Sequence, residues 1–327
     1  MLKLKYLFDN KDLANMILNN WEYDYDDPNF LKYYRISSNA VYWCKYQGNT
    51  FFLRFAPAEE KNKEKILAEL EFLTYLRNNG YPAVETILSK AGKELEAVNT
   101  PWGIYYAVAF KKASGKQISG VTLTEDIIFG LGKSLGKLHK LSSEYGPANN
   151  RRDDWKETMN WMEDVLSAFP DEVAAKSELT ILKDYFSKLP ATKENFGLIH
   201  YDFEPDNVFY DDITKNHTPI DFDDAMYHWY AMDVEQSLDS IKEDIPEEQV
   251  ESAINQFING YRSEYDFSDD MLKLLPVFRR YADLYGYVRV LRSVEEKWDN
   301  EPDWMVNLRV KLENLSNSGK DDFAKPI

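Results

Sequence analysis

Apolar residues follow two rhythms along this chain. Between Tyr33 and Phe55 they crowd into short runs rich in aromatic and β-branched residues. Tyr33-Tyr34-Arg35-Ile36, Ala40 to Tyr46 and Phe51 to Phe55 read as strands, with Gln47-Gly48-Asn49 turning between the last two. From Glu60 to Asn79 the period becomes helical. Ile66, Leu70, Leu73 and Leu76 form the inward stripe, and Gly80 with Pro82 ends the helix. A shorter helix is expected over Asp9 to Asn20, with Asp9 as cap and Leu13, Met16 and Ile17 inward. Two more strands are expected near Val84 to Ser89 and Ile104 to Phe110. The polar stretch Lys111 to Lys116 then breaks the pattern. Beyond it the chain reads as helices over Thr124 to Leu141, Asp154 to Phe169, Asp171 to Leu189, Met232 to Glu243, Glu247 to Tyr265 and Asp269 to Lys297. One strand–loop segment interrupts them, and the tail after Leu315 is polar. A sheet-plus-helix part followed by a larger helical part is an α+β arrangement. We expect a small lobe over residues 1–110, a connection over 111–116 and a helical lobe over 117–327, with ligands in the crevice between.

Composition narrows the function. The chain has 327 residues, 44% hydrophobic and 29% charged, enough apolar material for a core and too much for a disordered chain. No run approaches the roughly 18 apolar residues needed to cross a bilayer, and the first residues lack the pattern of a secretory signal. Cys44 is the only cysteine, so no intrachain disulfide forms, which suits a reducing cytoplasm. The net charge of −17 disfavours nucleic-acid partners and suits either solubility or an acidic cleft for a cationic substrate.

The chemistry concentrates in HYDFEPDNVFYDD, His200 to Asp212, and PIDFDDA, Pro219 to Ala225. Asp202, on a loop before a short apolar strand, can accept a proton from a hydroxyl. Asn207 comes five residues later and Asp221 fourteen after that. A hairpin of Val208 to Tyr210 with Thr218 to Ile220 returns Asp221 close to Asn207. One amide and one carboxylate oxygen suit Mg2+, which keeps waters and takes its remaining ligands from phosphates. A base, a metal across phosphates and a cation for the developing charge are what phosphoryl transfer needs. In the small lobe, Glu69 lies three residues after Ile66 and four before Leu73, on the inward face, where a carboxylate needs a cation. Glu71 lies on a more mixed face.

These paired motifs resemble the aminoglycoside phosphotransferase and choline kinase family, a branch of the protein-kinase-like fold, over roughly Tyr33 to Leu291. Gly130 to Leu141, GLGKSLGKLHKL, resembles the family helix ahead of the catalytic loop. The resemblance implies a bilobal fold with an antiparallel-sheet N-lobe, Asp202 as catalytic base, Asn207 and Asp221 as metal ligands, and His200 and Asp233 as structural support. It implies Arg54, where kinases carry a strand lysine, as the partner of Glu69 and of the nucleotide phosphates. Ser37 and Ser38 stand where kinases have a glycine-rich loop, and serve either phosphate binding or an ordinary turn. The segment Ala107 to Lys112 is expected beside the purine edge.

Other residues invite plainer readings. His139 is expected as a structural histidine, Cys44 as packing, and His217 and His228 lack partners at zinc-ligand spacing. Asp223 suits a second metal or an acceptor amine, and Asp224 a cap. Tyr227, Trp229 and Tyr230 read first as packing. Tyr281, Tyr285, Tyr287 and Arg289 lie on one predicted helix and are left open. The expected activity is a cytoplasmic, ATP- or GTP-dependent, Mg2+-requiring phosphotransferase acting on a hydroxyl of a small, amine-bearing acceptor such as an aminoglycoside, choline or a homoserine-like molecule. A protein Ser/Thr kinase of the same fold and a non-catalytic nucleotide-binding regulator are the alternatives. The oligomeric state is left open.

Overall fold

Asn10, rather than Asp9, starts the first helix. The computed structural model describes residues 1–317, 320 and 323–326; part of the polar tail therefore lies outside the described residues. Helix α1 (Lys11–Leu18) has its cap in the Asn10 side chain, which accepts from the Leu13 N–H. Asp9 instead accepts from the Tyr42 hydroxyl at 2.5 Å, so a tertiary partner claims the expected cap. Met16 is exposed; Leu13, Ala14, Ile17 and Leu18 form the buried face.

Strands β1 (Leu31–Ile36), β2 (Ala40–Tyr46) and β3 (Asn49–Pro57) come next, then helix α2 (Lys63–Asn78) and strands β4 (Thr86–Ile87), β5 (Leu95–Thr100) and β6 (Gly103–Lys111). They form one antiparallel sheet in the order β1-β2-β3-β6-β4, with β5 also paired to β6. The β2–β3 turn has both Gln47 (φ 50°) and Gly48 (φ 75°) left-handed, as a two-residue hairpin requires. β5 was not expected. Its run Leu-Glu-Ala-Val-Asn-Thr is half polar, and pairing with β6 makes it a strand. The inward stripe of α2 is buried as its period demands, and Glu69 is buried with it.

The rest is mostly helical: β7 (Lys116–Gln117), α3 (Glu125–Glu144), α4 (Trp155–Ser167), α5 (Val173–Lys188), β8 (Phe196–Ile199), β9 (Val208–Tyr210), β10 (His217–Pro219), β11 (Met226–Trp229), α6 (Ala231–Glu243), α7 (Val250–Arg262), α8 (Asp269–Leu272), α9 (Leu275–Val294) and α10 (Asp303–Asn317). Thr124 caps α3, and Asp154 with Glu157 forms a capping box on α4. The single helix expected over Asp269 to Lys297 is two. Pro276, with no N–H to donate, stands in the first turn of α9 and prevents the helix from running through. Helix α10 was not expected; it packs Met305 and Leu312 against Leu4, Val290 and Val294.

Two short ribbons position the site. β9 pairs with β10 and with β7, and β8 pairs with β11. Behind them α3 and α7 pack through glycines. A Cβ on Gly132 would fall 1.9 Å from the Phe257 carbonyl oxygen.

Candidate active site

β8 ends in an unusual backbone. Tyr201 has φ 72°, a region that bulky residues avoid. Asp233, buried in the first turn of α6, holds it there. Its Oδ1 accepts from the Tyr201 N–H at 2.6 Å and its Oδ2 from the His200 N–H at 2.8 Å. The ring of His139 also bonds Asp233 Oδ2 through Nε2 at 3.0 Å, and its Nδ1 meets the Tyr261 hydroxyl at 2.7 Å. His200 carries the constraint forward. Its Nδ1 accepts from the Asp202 N–H at 3.2 Å, which leaves the proton on Nε2, donated to the Ile220 carbonyl at 2.9 Å. Burial pulls the His200 pKa down, more than the nearby Asp233 charge raises it, so the neutral ring persists. His200 and His139 are thus parts of the frame.

Asp202 follows directly. The Asn207 amide donates to its carboxylate Oδ2 at 2.7 Å and to its carbonyl at 3.1 Å. Both amide hydrogens are thereby engaged, and Asn207 Oδ1 remains as an acceptor or ligand atom. The β9–β10 hairpin then brings Asp221 back. Ile220 donates its N–H to the Asn207 carbonyl at 2.8 Å, and Asp221 takes φ 63°. Burial pushes Asp202 up to about 8, with Glu204, Asp224, Asp221 and Asp206 adding to the shift. Burial likewise raises Asp221 to about 6, although Arg54 opposes it. Carboxylates held above their ordinary range in one cleft are a site that gains by receiving a cation.

Arg54 on β3 faces this group. Its guanidinium grips Glu69 with two bonds, at 2.8 Å and 2.6 Å, and reaches Asp221 Oδ1 at 3.3 Å. It lies over the Phe110 ring, 4.9 Å from its centroid. Glu71 points elsewhere, accepting from the Tyr145 hydroxyl and the Ala148 and Asn149 N–H groups. A narrow cavity beside Arg54 and Asp221 has apolar walls from both parts of the chain, Phe52, Val84 and Phe110 on one side and Phe209 and Ile220 on the other. Lys111 and Ala113 border it as well.

A second cavity of about 460 Å³ joins Asp202 and Asp221 to Ser37, Ser38 and Arg289. A third, of about 690 Å³, lies beyond Asp223 and Asp224 and is lined by the start of α2, by α4 and by α9. Asp223 is buried and ion-paired with Lys61. Burial opposes its charge, yet Lys61 and Arg54 hold its carboxyl below the usual range. Asp224 pairs with Arg289 at 2.8 Å rather than capping a helix. The Ser37 carbonyl accepts from the Leu2 N–H, and the Ser38 hydroxyl accepts from Arg289. Trp229 and Tyr230 are buried packing, and Cys44 is a buried thiol that burial pushes up to about 12.

A family model described as the phosphotransferase enzyme family matches residues 35–269, most of the chain. The chain belongs to that family. The span matched contains Arg54, Glu69, the Asp202 loop, Asp221 and Asp233. Amicoumacin kinase of Bacillus subtilis (strain 168) is 23% identical over 300 residues, covering 88% of each protein. Two solved structures share the fold at 20% identity. One is an amicoumacin kinase in complex with AMP-PNP and Ca2+, at a TM-score of 0.79 over 99% of this chain and 97% of that one. The other is a microcompartment-associated aminopropanol kinase, at 0.71 over 95% and 97%. This phosphotransferase therefore has the bilobal kinase-like fold, an antiparallel-sheet lobe followed by a larger helical one.

Three residues of the site escaped the sequence. Lys61 sits in the polar run EEKNKEK, where one lysine looks like its neighbours. Arg152 bonds the Ala225 carbonyl at 2.6 Å and the Asp223 carbonyl, but stands in a loop with no periodicity to reveal it. Arg289 was visible only as a member of a helix whose facing could not be read. Among the described residues no helix is long and apolar enough to cross a membrane.

Proposed function

We propose that this phosphotransferase moves the γ-phosphoryl group of ATP or GTP to a hydroxyl of a small, amine-bearing molecule. The observation that carries the reading is the gathering of Asp202, Asn207 and Asp221, remote in sequence or separated by a hairpin, beside the Arg54–Glu69 pair. The nucleotide base fits the apolar walls around Phe110 and Phe209, and Arg54 reaches its inner phosphates. Asn207 Oδ1 and the Asp221 carboxylate would hold Mg2+, which supplies positive charge across the phosphates; the donor set, two oxygens with phosphate and water to complete it, fits that ion. Ser37 and Ser38 offer backbone and hydroxyl groups to the terminal phosphates. Asp202 accepts the proton of the acceptor hydroxyl as its oxygen bonds to phosphorus and the bridging bond to the diphosphate breaks. On this reading residues 1–110 hold the nucleotide, 111–116 connect, and 117–327 carry the catalytic loop and the acceptor.

The acceptor enters the larger cavity. There one face of α4 presents Trp161 and Asp164, an aromatic ring with a carboxylate one helical turn on, while Glu157 a turn before is held by Arg151 and the Asp154 N–H. That combination suits an ammonium group. One structural neighbour supports this reading, since aminopropanol kinase is named for an amine-bearing acceptor. The test is Mg2+-dependent nucleotide consumption by the pure protein over a panel of amino alcohols, amine-bearing antibiotics, neutral sugars and protein substrates. Turnover with amine-bearing acceptors is expected. Turnover confined to neutral sugars or to protein serine would overturn the acceptor assignment.

A further inference from the structure

Arg289 reaches across the cleft from α9. One guanidinium nitrogen lies 2.8 Å from Asp224 Oδ2, and another donates to the Ser38 hydroxyl at 2.7 Å. Its plane lies over the Tyr285 ring, 5.2 Å from the centroid. The side chain is 18% exposed, so its charge is largely withdrawn from water while it still borders open space. It borders the cavity of about 460 Å³ holding Asp202 and Asp221, and also lines the cavity of about 690 Å³ beyond Asp224. Among the described residues that line the smaller of the two, Arg35 is the other arginine and no lysine appears. Arg35 is half-exposed and turned to Asp206 at 3.3 Å. Arg54 stands behind Asp221 and is gripped on both nitrogens by Glu69.

This smaller cavity therefore has a charge problem. Asp202, Asp221, Asp223 and Asp224 all border it, and a terminal phosphoryl group adds further negative charge. During transfer that charge spreads over three equatorial oxygens and needs cations on the acceptor side as well as behind the nucleotide. A guanidinium carries five donors in a fixed fork, suited to phosphate oxygens, and stays protonated. Ser38 stands at the loop tip expected to cover the phosphates, and a neutral hydroxyl is a weaker acceptor than a phosphate oxygen.

We infer that Arg289 binds the terminal phosphoryl group and follows it through transfer, exchanging its bond to the Ser38 hydroxyl for one to phosphate oxygen while Asp224 keeps the guanidinium aimed. The inference rests on the reading of Asp202, Asn207 and Asp221 as the transfer site. Arg289 takes up no proton. The bridging O–P bond breaks, the acceptor O–P bond forms, and the hydroxyl proton goes to Asp202.

Calorimetric titration with Mg2+ complexes of ADP and of AMP-PNP separates this role from a structural one. Wild-type protein should bind both. Arg289→Lys keeps the charge beside Asp224 and loses the fork, which guards against misfolding; Arg289→Ala removes both. Both variants should bind ADP within a few-fold of wild type. AMP-PNP binding should weaken about ten- to hundredfold in Arg289→Ala, the worth of a charge-assisted hydrogen bond, and less in Arg289→Lys. With an acceptor, kcat should fall about 10²–10³-fold in Arg289→Ala. Equal weakening of both nucleotides, or unchanged AMP-PNP affinity in both variants, would overturn the role of Arg289 and leave the transfer site standing. Failure of the wild type to bind either nucleotide with Mg2+ would overturn both.

Discussion

Asp202 and Asp221 are the same residue type in the same cleft, and the proposed function gives them different work. Asp202 receives both amide hydrogens of Asn207 and faces the cavity where a hydroxyl would lie; Asp221 sits against Arg54 on the nucleotide side. Asp202→Ala should lower transfer by about 10²–10⁴-fold, the usual worth of a general base, and leave nucleotide affinity within a few-fold. Asp221→Ala should weaken Mg-nucleotide binding itself. Parallel steady-state kinetics and nucleotide titrations decide; equal loss of binding in both variants contradicts separate roles. The two glutamates of α2 make a second contrast. Glu69→Ala leaves the buried Arg54 without its bidentate partner and should cost about 3–5 kcal/mol in urea unfolding. Glu71→Ala removes hydrogen bonds at a partly exposed position and should cost about 1 kcal/mol. The choice between them was legible in the sequence because helical period fixes which side faces inward. The partners of Asp223 and Asp224 were not, because Lys61 and Arg289 lie far away along the chain in segments without a distinguishing pattern.

Elements place these side chains through backbone that the local pattern only half announces. The β9–β10 hairpin was readable from its two short apolar segments, with β10 one residue earlier than the expected Thr218 to Ile220, whereas β5 needed β6 beside it before its polar residues could form a strand. Pro276 stands in the first turn of α9, where its missing N–H costs the helix nothing, and so marks the α8–α9 break. The glycines of GLGKSLGKLHKL look like weak points in a helix. In the fold they are contact points: the Phe257 carbonyl occupies the space a Cβ on Gly132 would need. Gly132→Ala should therefore destabilise the protein by about 1–3 kcal/mol through overpacking, despite the better helix propensity of alanine. Thermal unfolding measures this, and a stabilised variant would show that α7 yields easily.

Across the whole molecule the two lobes are joined by polar contacts around the cleft. Arg35 meets Asp206, Lys61 meets Asp223, and Arg292 meets Glu60 at 2.8 Å. The larger lobe has an aromatic core in which His228 is enclosed by Phe186, Trp229, Phe278 and Tyr281. Burial pushes its pKa down to about 3, with Asp233 opposing in part, against about 6.5 in the unfolded chain. The unfolded chain then takes a proton that the folded one refuses. Stability from this residue is present above about pH 6.5 and is lost as the pH falls toward 3, by at most about 1.4 kcal/mol per pH unit. Denaturant midpoints at pH 7.5 and pH 5 should fall less in His228→Phe than in wild type. An identical fall in both would place the acid sensitivity elsewhere.

The sequence by itself determined the first three strands followed by α2, the inward face of α2 and the grouping of Asp202, Asn207 and Asp221 around one hairpin. These depend on short-range period and spacing, which a linear text records. Only the tertiary structure decided that Asn10 caps α1, that Gly132 touches a neighbouring backbone, and that Lys61 and Arg289 close on the cleft carboxylates. Each of these depends on a contact between segments whose separation along the chain carries no periodic signal, so the pairing exists only once the lobes have packed.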